Sequence, residues 1–308
     1  IGLIGAGGFG QNFLLPAMKG KGQFVSVATA RPHNARNIAD KYGFAACTGN
    51  ADDVVNRADV NTIFIATRHD SHAEYVLKAL QNKKNVFVEK PLCLHESELE
   101  TIRTAYNESG SLLMVGFNRR FAPFVTKIRD QFRSGVPLAI NYRINAGIVP
   151  ADHWIHDPAI GGGRIIGEVC HFIDLCMFIA RSPITQLSAR WMDDAAGLHD
   201  TVTISLAFAN GSTANVSYFS NGNKLVSKEY LEIFGSGMVA ILDDFKTLTM
   251  FGKSASKSTG NQDKGHQAEV AAFLNAVQKG QACPIPADDI FLSTLATFKV
   301  LESAAQNG

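Results

Sequence analysis

The aliphatic run at residues 1–4 ends directly in Gly5-Ala6-Gly7-Gly8-Phe9-Gly10, a G-x-G-x-x-G sequence, and Phe13, Leu14, Ala17 and Met18 then recur at helical spacing. A strand, a glycine-rich turn and a helix in that order leave little freedom in what can be built. Gly5 suits the tight turn, Gly7 lets the backbone approach a pyrophosphate, and Gly10 lets helix and strand pack closely. The unpaired N–H groups and dipole of the helix N-terminus then favour phosphate. Glycine-rich turns occur in many folds, so the weight falls on the context: a strand before, a helix after, and alternation beyond. Gly5, Gly7, Phe9 and Gly10 are the expected cofactor contacts.

The alternation continues. Residues 24–30, 62–67, 85–88 and 112–117 read as apolar strands, with helical stretches ending near Tyr42, starting near His72 and running from about Glu96 to Asn107. Strands alternating with helices predict a parallel sheet. A helix is expected from Asn118 to about Phe132, and after Gly135 the pattern changes. Stretches 138–146, 185–192, 201–208, 213–219 and 230–235 read as strands in succession, punctuated by Asn210-Gly211 and Asn221-Gly222, while 252–265 reads as a long polar loop. The expected fold is α/β: a Rossmann dinucleotide-binding domain over 1–118 and a C-terminal α+β domain over 119–308 with a mainly antiparallel open sheet.

Several side chains fall where ligands bind in such folds. The second strand ends in Thr29-Ala30-Arg31 rather than in the acid that holds a ribose 2′-OH, so the cofactor is NAD or NADP with a lean toward NADP, Arg31 pairing with a 2′-phosphate. Thr67 and His72 flank the next strand end, with Ser71 as an N-cap, and are candidate contacts to ribose or nicotinamide. Glu89-Lys90-Pro91 ends the following strand. Proline restrains Lys90 to an extended backbone at the carboxyl edge, where an ammonium can stabilise a developing alkoxide. In the second half, Asp152-His153-Trp154-Ile155-His156-Asp157-Pro158 precedes Gly161-Gly162-Gly163, and an apolar helix from Val169 to Ala180 carries His171 and Asp174 three positions apart. Asp174 is placed to orient His171 or raise its pKa. On its own, a histidine on an apolar helix is more often a hydrogen-bonded core residue than a catalyst.

Composition excludes other classes. With 46% apolar residues, 19% charged residues and a net charge of +1 over 308 residues, the chain carries no basic block for nucleic acid and no apolar run of membrane-spanning length. Its five cysteines are scattered, without metal-ligand spacing, which points to a reducing, cytoplasmic compartment and to no metal site. The abrupt start at Ile1, without methionine, fits a chain with residues upstream.

Taken together, the glycine loop, Ala66-Thr67 with His72, Glu89-Lys90-Pro91, and Gly161-Gly162-Gly163 followed by His171-Phe172-Ile173-Asp174 resemble the Gfo/Idh/MocA oxidoreductases over essentially the whole chain. Gly116-Phe117-Asn118-Arg119-Arg120-Phe121 and residues 152–158 further resemble the Gfo/Idh half of bi-domain bacterial proteins with a zinc-dehydrogenase-like half upstream. The resemblance implies hydride transfer between a nicotinamide and a hydroxyl-bearing carbon of a sugar, cyclitol or sugar derivative, in a homo-oligomer. By matching position it makes Lys90 and His171 the catalytic pair, Glu89 and Lys90 cofactor contacts, and Arg119, His153, Trp154, His156 and Glu168 candidate substrate contacts. One departure stands out: the family's usual Asp or Asn four residues after the glycine triplet is Gly167, with Glu168 one position later. That leaves two rivals, a cofactor-binding sensor or structural protein without turnover, and an enzyme that recycles a tightly held nicotinamide.

Overall fold

The computed structural model describes residues 1–132, 134–194 and 197–307. The chain forms two compact units that are not contiguous in sequence: residues 1–117 with 266–291, and residues 118–265 with 292–308. The return of 266–291 to the first unit interrupts the expected second domain of 119–308. Its physical basis is apolar. Phe273, on the helix His266–Lys279, meets the stacked rings of Phe64 and Phe87 at 5.8 and 5.6 Å.

Among the described residues the first unit holds a six-stranded sheet of β1 (Gly2–Ile4), β2 (Ser26–Ala28), β3 (Ala46–Thr48), β4 (Thr62–Ile65), β5 (Asn85–Val88) and β6 (Leu113–Val115). Every pairing is parallel and the spatial order is β3-β2-β1-β4-β5-β6. That order places a switch point between β1 and β4, where successive crossovers leave in opposite directions. The central strands are buried on both faces, which is why they read as continuous apolar runs rather than as alternating ones. The sheet is held by helices such as Pro32–Tyr42, which ends at Gly43 with φ +82°, and Glu96–Ser109, whose first turn is closed by Glu98 accepting from the His95 N–H at 3.0 Å.

In the second unit an eight-stranded sheet comprises β7 (Ala139–Asn145), β8 (Ile184–Trp191), β9 (Val202–Phe208), β10 (Thr213–Phe219), β11 (Glu229–Gly235), β12 (Met238–Asp243), β13 (Thr247–Phe251) and β14 (Ala255–Thr259). The order is β14-β13-β12-β11-β7-β10-β9-β8, antiparallel except for β7 with β10. β14 lies inside the stretch expected to be a loop, because an exposed polar edge strand carries no hydrophobic alternation. One face is apolar: Ile140, Tyr142, Ile144, Ile204, Val216, Leu231 and Ile233 join Val125, Ile128, Phe172, Ile173 and Val300 from helices in a single core. Asn141, Thr203, Ser205 and Asn215 lie on the opposite face and are exposed.

Candidate active site

The glycine loop leaves β1 through Gly5, which is left-handed at φ +83° and whose N–H donates to the Ala28 carbonyl at 2.9 Å. A Cβ there would stand 2.5 Å from the Ala66 carbonyl oxygen, so only glycine fits. Gly7 is the opposite case: a Cβ added to it meets nothing within 4 Å. The loop is therefore tight underneath and open above, beside the first turn of a helix over 8–18 that contains the π turn Gly10–Leu14. Such a cradle fits a pyrophosphate. Phe9 is more than a third exposed and its ring lies 5.1 Å from Phe13 and 5.7 Å from His266.

Along the same carboxyl edge, Arg31 precedes the helix Pro32–Tyr42 at the end of β2, exposed, and its carbonyl accepts the Thr29 hydroxyl at 2.7 Å. Past β4, Thr67 packs beneath Gly5, its methyl 2.8 Å from the position of a Gly5 Cβ. The Ser71 hydroxyl does not cap the helix His72–Gln81 but turns back to Thr67 Oγ1 at 2.7 Å and the Arg68 carbonyl at 3.0 Å. His72, expected at the cofactor, is fully buried, with Nδ1 2.7 Å from the Pro91 carbonyl and Nε2 3.3 Å from the Thr67 carbonyl. Burial holds its pKa below the ordinary histidine value against those two carbonyls, and the Lys90 charge adds to the effect.

Lys90 follows β5 and is half-buried. Glu89 donates its N–H to the Ile65 carbonyl at 2.9 Å, and its buried carboxyl lies against Gly116, where an added Cβ would be 2.9 Å from Oε1. Burial pushes that carboxyl up to about 7, with the neighbouring Lys90 charge opposing. Glu89 thus faces the sheet end rather than open space.

In the second unit the glycine triplet leads into a helix over 163–180 whose second turn, Ile165–Val169, is a π turn, followed by the α-helix Cys170–Ala180. Gly167 and Glu168 both lie in the π turn. The Glu168 carboxylate meets Arg164 Nε at 3.1 Å and stands 3.9 Å from Lys228 Nζ, while Arg164 Nη1 donates to the Gly147 carbonyl at 2.7 Å. His171 stands in the first turn of the α-helix, 8% exposed. Asp174, read from the sequence as its orienting group, receives Arg120 through both oxygens, with Nη2 at 2.7 Å and Nε at 2.8 and 3.0 Å.

Arg119 is engaged in the same manner. Its Nε and Nη2 each reach Glu229 at 2.8 Å, and Lys264 Nζ joins that carboxylate at 2.7 Å, with the Tyr142 hydroxyl also bonded to it. Burial opposes the charged form of Glu229, but Arg119 and Lys264 outweigh it and hold the carboxyl well below the usual range. The guanidinium thus ties the 3-10 turn Asn118–Phe121 to β11 within the second unit. Before the triplet, Trp154–His156 form a single 3-10 turn in which the exposed His153 accepts the Ile155 N–H at 3.2 Å; Trp154 and His156 are half-buried, and His156 Nε2 is buried without a hydrogen-bond partner among the described residues.

The sheet order, the switch point and the open glycine cradle define a dinucleotide-binding Rossmann domain, joined in sequence to a unit built on an antiparallel open sheet. Comparison with known proteins agrees on both parts. A family profile described as "Oxidoreductase family, NAD-binding Rossmann fold" matches residues 1–117, and the "GFO/IDH/MocA C-terminal domain" profile matches residues 125–240. The chain belongs to the Gfo/Idh/MocA oxidoreductase family. Its relatives include the "Uncharacterized oxidoreductase YrbE" of Bacillus subtilis strain 168, 26% identical over 94% of this chain and 89% of that protein. Inositol 2-dehydrogenase of Rhizobium meliloti strain 1021 is 30% identical over 70% of this chain and 67% of its own length. A solved structure of levoglucosan dehydrogenase in complex with NADH and levoglucosan shares the fold with a TM-score of 0.86 at 20% identity, covering 100% of this chain and 97% of that one.

Proposed function

We propose that this oxidoreductase transfers a hydride between a nicotinamide dinucleotide and a hydroxyl-bearing carbon of a sugar, cyclitol or sugar derivative. The observation that carries the reading is the shared carboxyl edge of the first sheet. The glycine cradle closes β1 and Lys90 closes β5, two strand spacings or about 10 Å away across β4. With a pyrophosphate on the cradle, β2 and Arg31 lie on one side and Thr67 and Lys90 on the other, the division a dinucleotide requires. When bound, the nicotinamide supplies the hydride acceptor or donor. The Lys90 ammonium holds the reacting hydroxyl and stabilises negative charge on its oxygen, and the His171 imidazole takes or returns the proton.

His153, Trp154, His156 and Glu168 are the proposed substrate contacts, the buried His156 Nε2, without a partner among the described residues, being the strongest reason for the 3-10 turn. Arg119 is read as a positioning residue of the second unit, through Glu229 and Tyr142. NADP is the proposed preference, supported by Arg31, which is exposed and makes no ion pair among the described residues. Association of copies through the open sheet and a cytoplasmic setting, in keeping with five free thiols, complete the reading.

Gly167 favours a second reading, cofactor binding without turnover, because no carboxylate stands at that position and the neighbouring Glu168 is already held by Arg164. A panel of aldoses, cyclitols, uronates and sugar derivatives, assayed with NAD and NADP at the nicotinamide absorbance, separates the two. Reduction with at least one polyol supports the dehydrogenase. Cofactor binding with no redox change across the panel supports the rival.

A further inference from the structure

We propose that His72 is the positioning residue for Lys90, fixing the backbone on the far side of the lysine through a hydrogen bond from Nδ1 to the Pro91 carbonyl. The chain before Lys90 is pinned by the sheet: the Glu89 N–H donates to the Ile65 carbonyl and the Gly116 N–H to the Val88 carbonyl, both at 2.9 Å. After Lys90 that means is lost, since proline has no N–H to donate. The Pro91 carbonyl is the next main-chain group, and it is taken at 2.7 Å by a ring that is fully buried and beyond the reach of competing water.

The other edge of the ring faces the Thr67 carbonyl at 3.3 Å, the residue under Gly5. Through Nδ1, His72 ties the segment after Lys90 to the start of the helix His72–Gln81. Burial keeps the imidazole neutral, so it has one proton for two carbonyls. The shorter contact assigns that proton to Nδ1. The Lys90 backbone is then held from both sides.

This rests on the dehydrogenase reading only for what Lys90 does, so the test carries a readout that needs no substrate. Lys90 reactivity is measured by trace acetylation of the folded protein and peptide mass spectrometry in wild type, His72→Ala, His72→Asn and His72→Gln, alongside kcat and KM. The asparagine amide overlays Nδ1, and the glutamine amide overlays Nε2. The expected result is altered Lys90 labelling in His72→Ala and His72→Gln, near wild-type labelling in His72→Asn, and a kcat loss of ~10- to ~100-fold in the first two with the cofactor KM little changed. Should the alanine variant not fold, the asparagine and glutamine pair decides. Labelling and kcat per folded molecule unchanged in His72→Ala, or identical in His72→Asn and His72→Gln, overturns the proposal. If wild type oxidises no polyol while labelling shifts as expected, the positioning role stands and the dehydrogenase reading falls.

Discussion

Arg120 closes on Asp174 with both partners almost wholly buried, Nη2 lying 2.7 Å from Oδ1 and the Ser293 hydroxyl 3.4 Å from the same oxygen. The pair links the 3-10 turn Asn118–Phe121 to the helix that carries His171. Asp174→Asn removes the charge and leaves the guanidinium buried without its counterion. The expected loss is about 3–5 kcal/mol of stability, read from urea denaturation midpoints.

The two glycines of the cradle behave differently because they meet different surroundings. Gly5→Ala combines a left-handed backbone with a contact to the Ala66 carbonyl and is expected to destabilise the first unit by about 2 kcal/mol. Gly7→Val projects into open space and is expected to leave the thermal midpoint nearly unchanged while weakening NADH and NADPH binding by about tenfold or more. Differential scanning fluorimetry beside fluorescence titration separates the two effects.

These glycines, the strand before them and the βα alternation were legible because each leaves a local pattern: buried parallel strands are continuous apolar runs, and a tight turn needs glycine. What escaped was non-local or polar. β3 and β14 are short and half-exposed, with no apolar alternation to mark them. Arg119 read as a substrate contact and Arg120 as part of a helix, because their partners Glu229 and Asp174 lie 110 and 54 residues further on. His72 opens the helix after β4, and nothing in its sequence neighbours tells which way the ring turns. The π turn at Ile165–Val169 has no side-chain signature, although the shift of the acid from 167 to 168 falls within it.

Glu89 gives the first unit a pH dependence. Its folded-state carboxyl is raised to about 7, so the folded chain holds that proton more tightly than the unfolded chain does. The resulting stability is fully present below the ordinary carboxylate value and is lost as pH rises through about 7. Glu89→Gln keeps the neutral shape at every pH. It is expected to match wild type near pH 3.5 and to exceed it by on the order of 3 kcal/mol at pH 8 and above, measured by denaturation across that range.

Arg31 tests the cofactor preference. Removing a charge-assisted bond to a 2′-phosphate, worth ~1.5–3 kcal/mol, weakens NADPH binding by roughly ten- to a hundredfold and leaves NADH binding unchanged. Side-by-side titration of wild type and Arg31→Ala reads both. Equal loss for the two cofactors removes Arg31 from the 2′-phosphate site.

In the proposed reaction Lys90 is the group that stabilises charge on the reacting oxygen. The direct measurement is the initial rate of nicotinamide reduction on the best polyol for wild type and Lys90→Ala, together with each protein's cofactor dissociation constant. The account predicts a rate lower by about a hundredfold or more, with cofactor affinity within a few-fold of wild type. An undiminished rate in Lys90→Ala contradicts it.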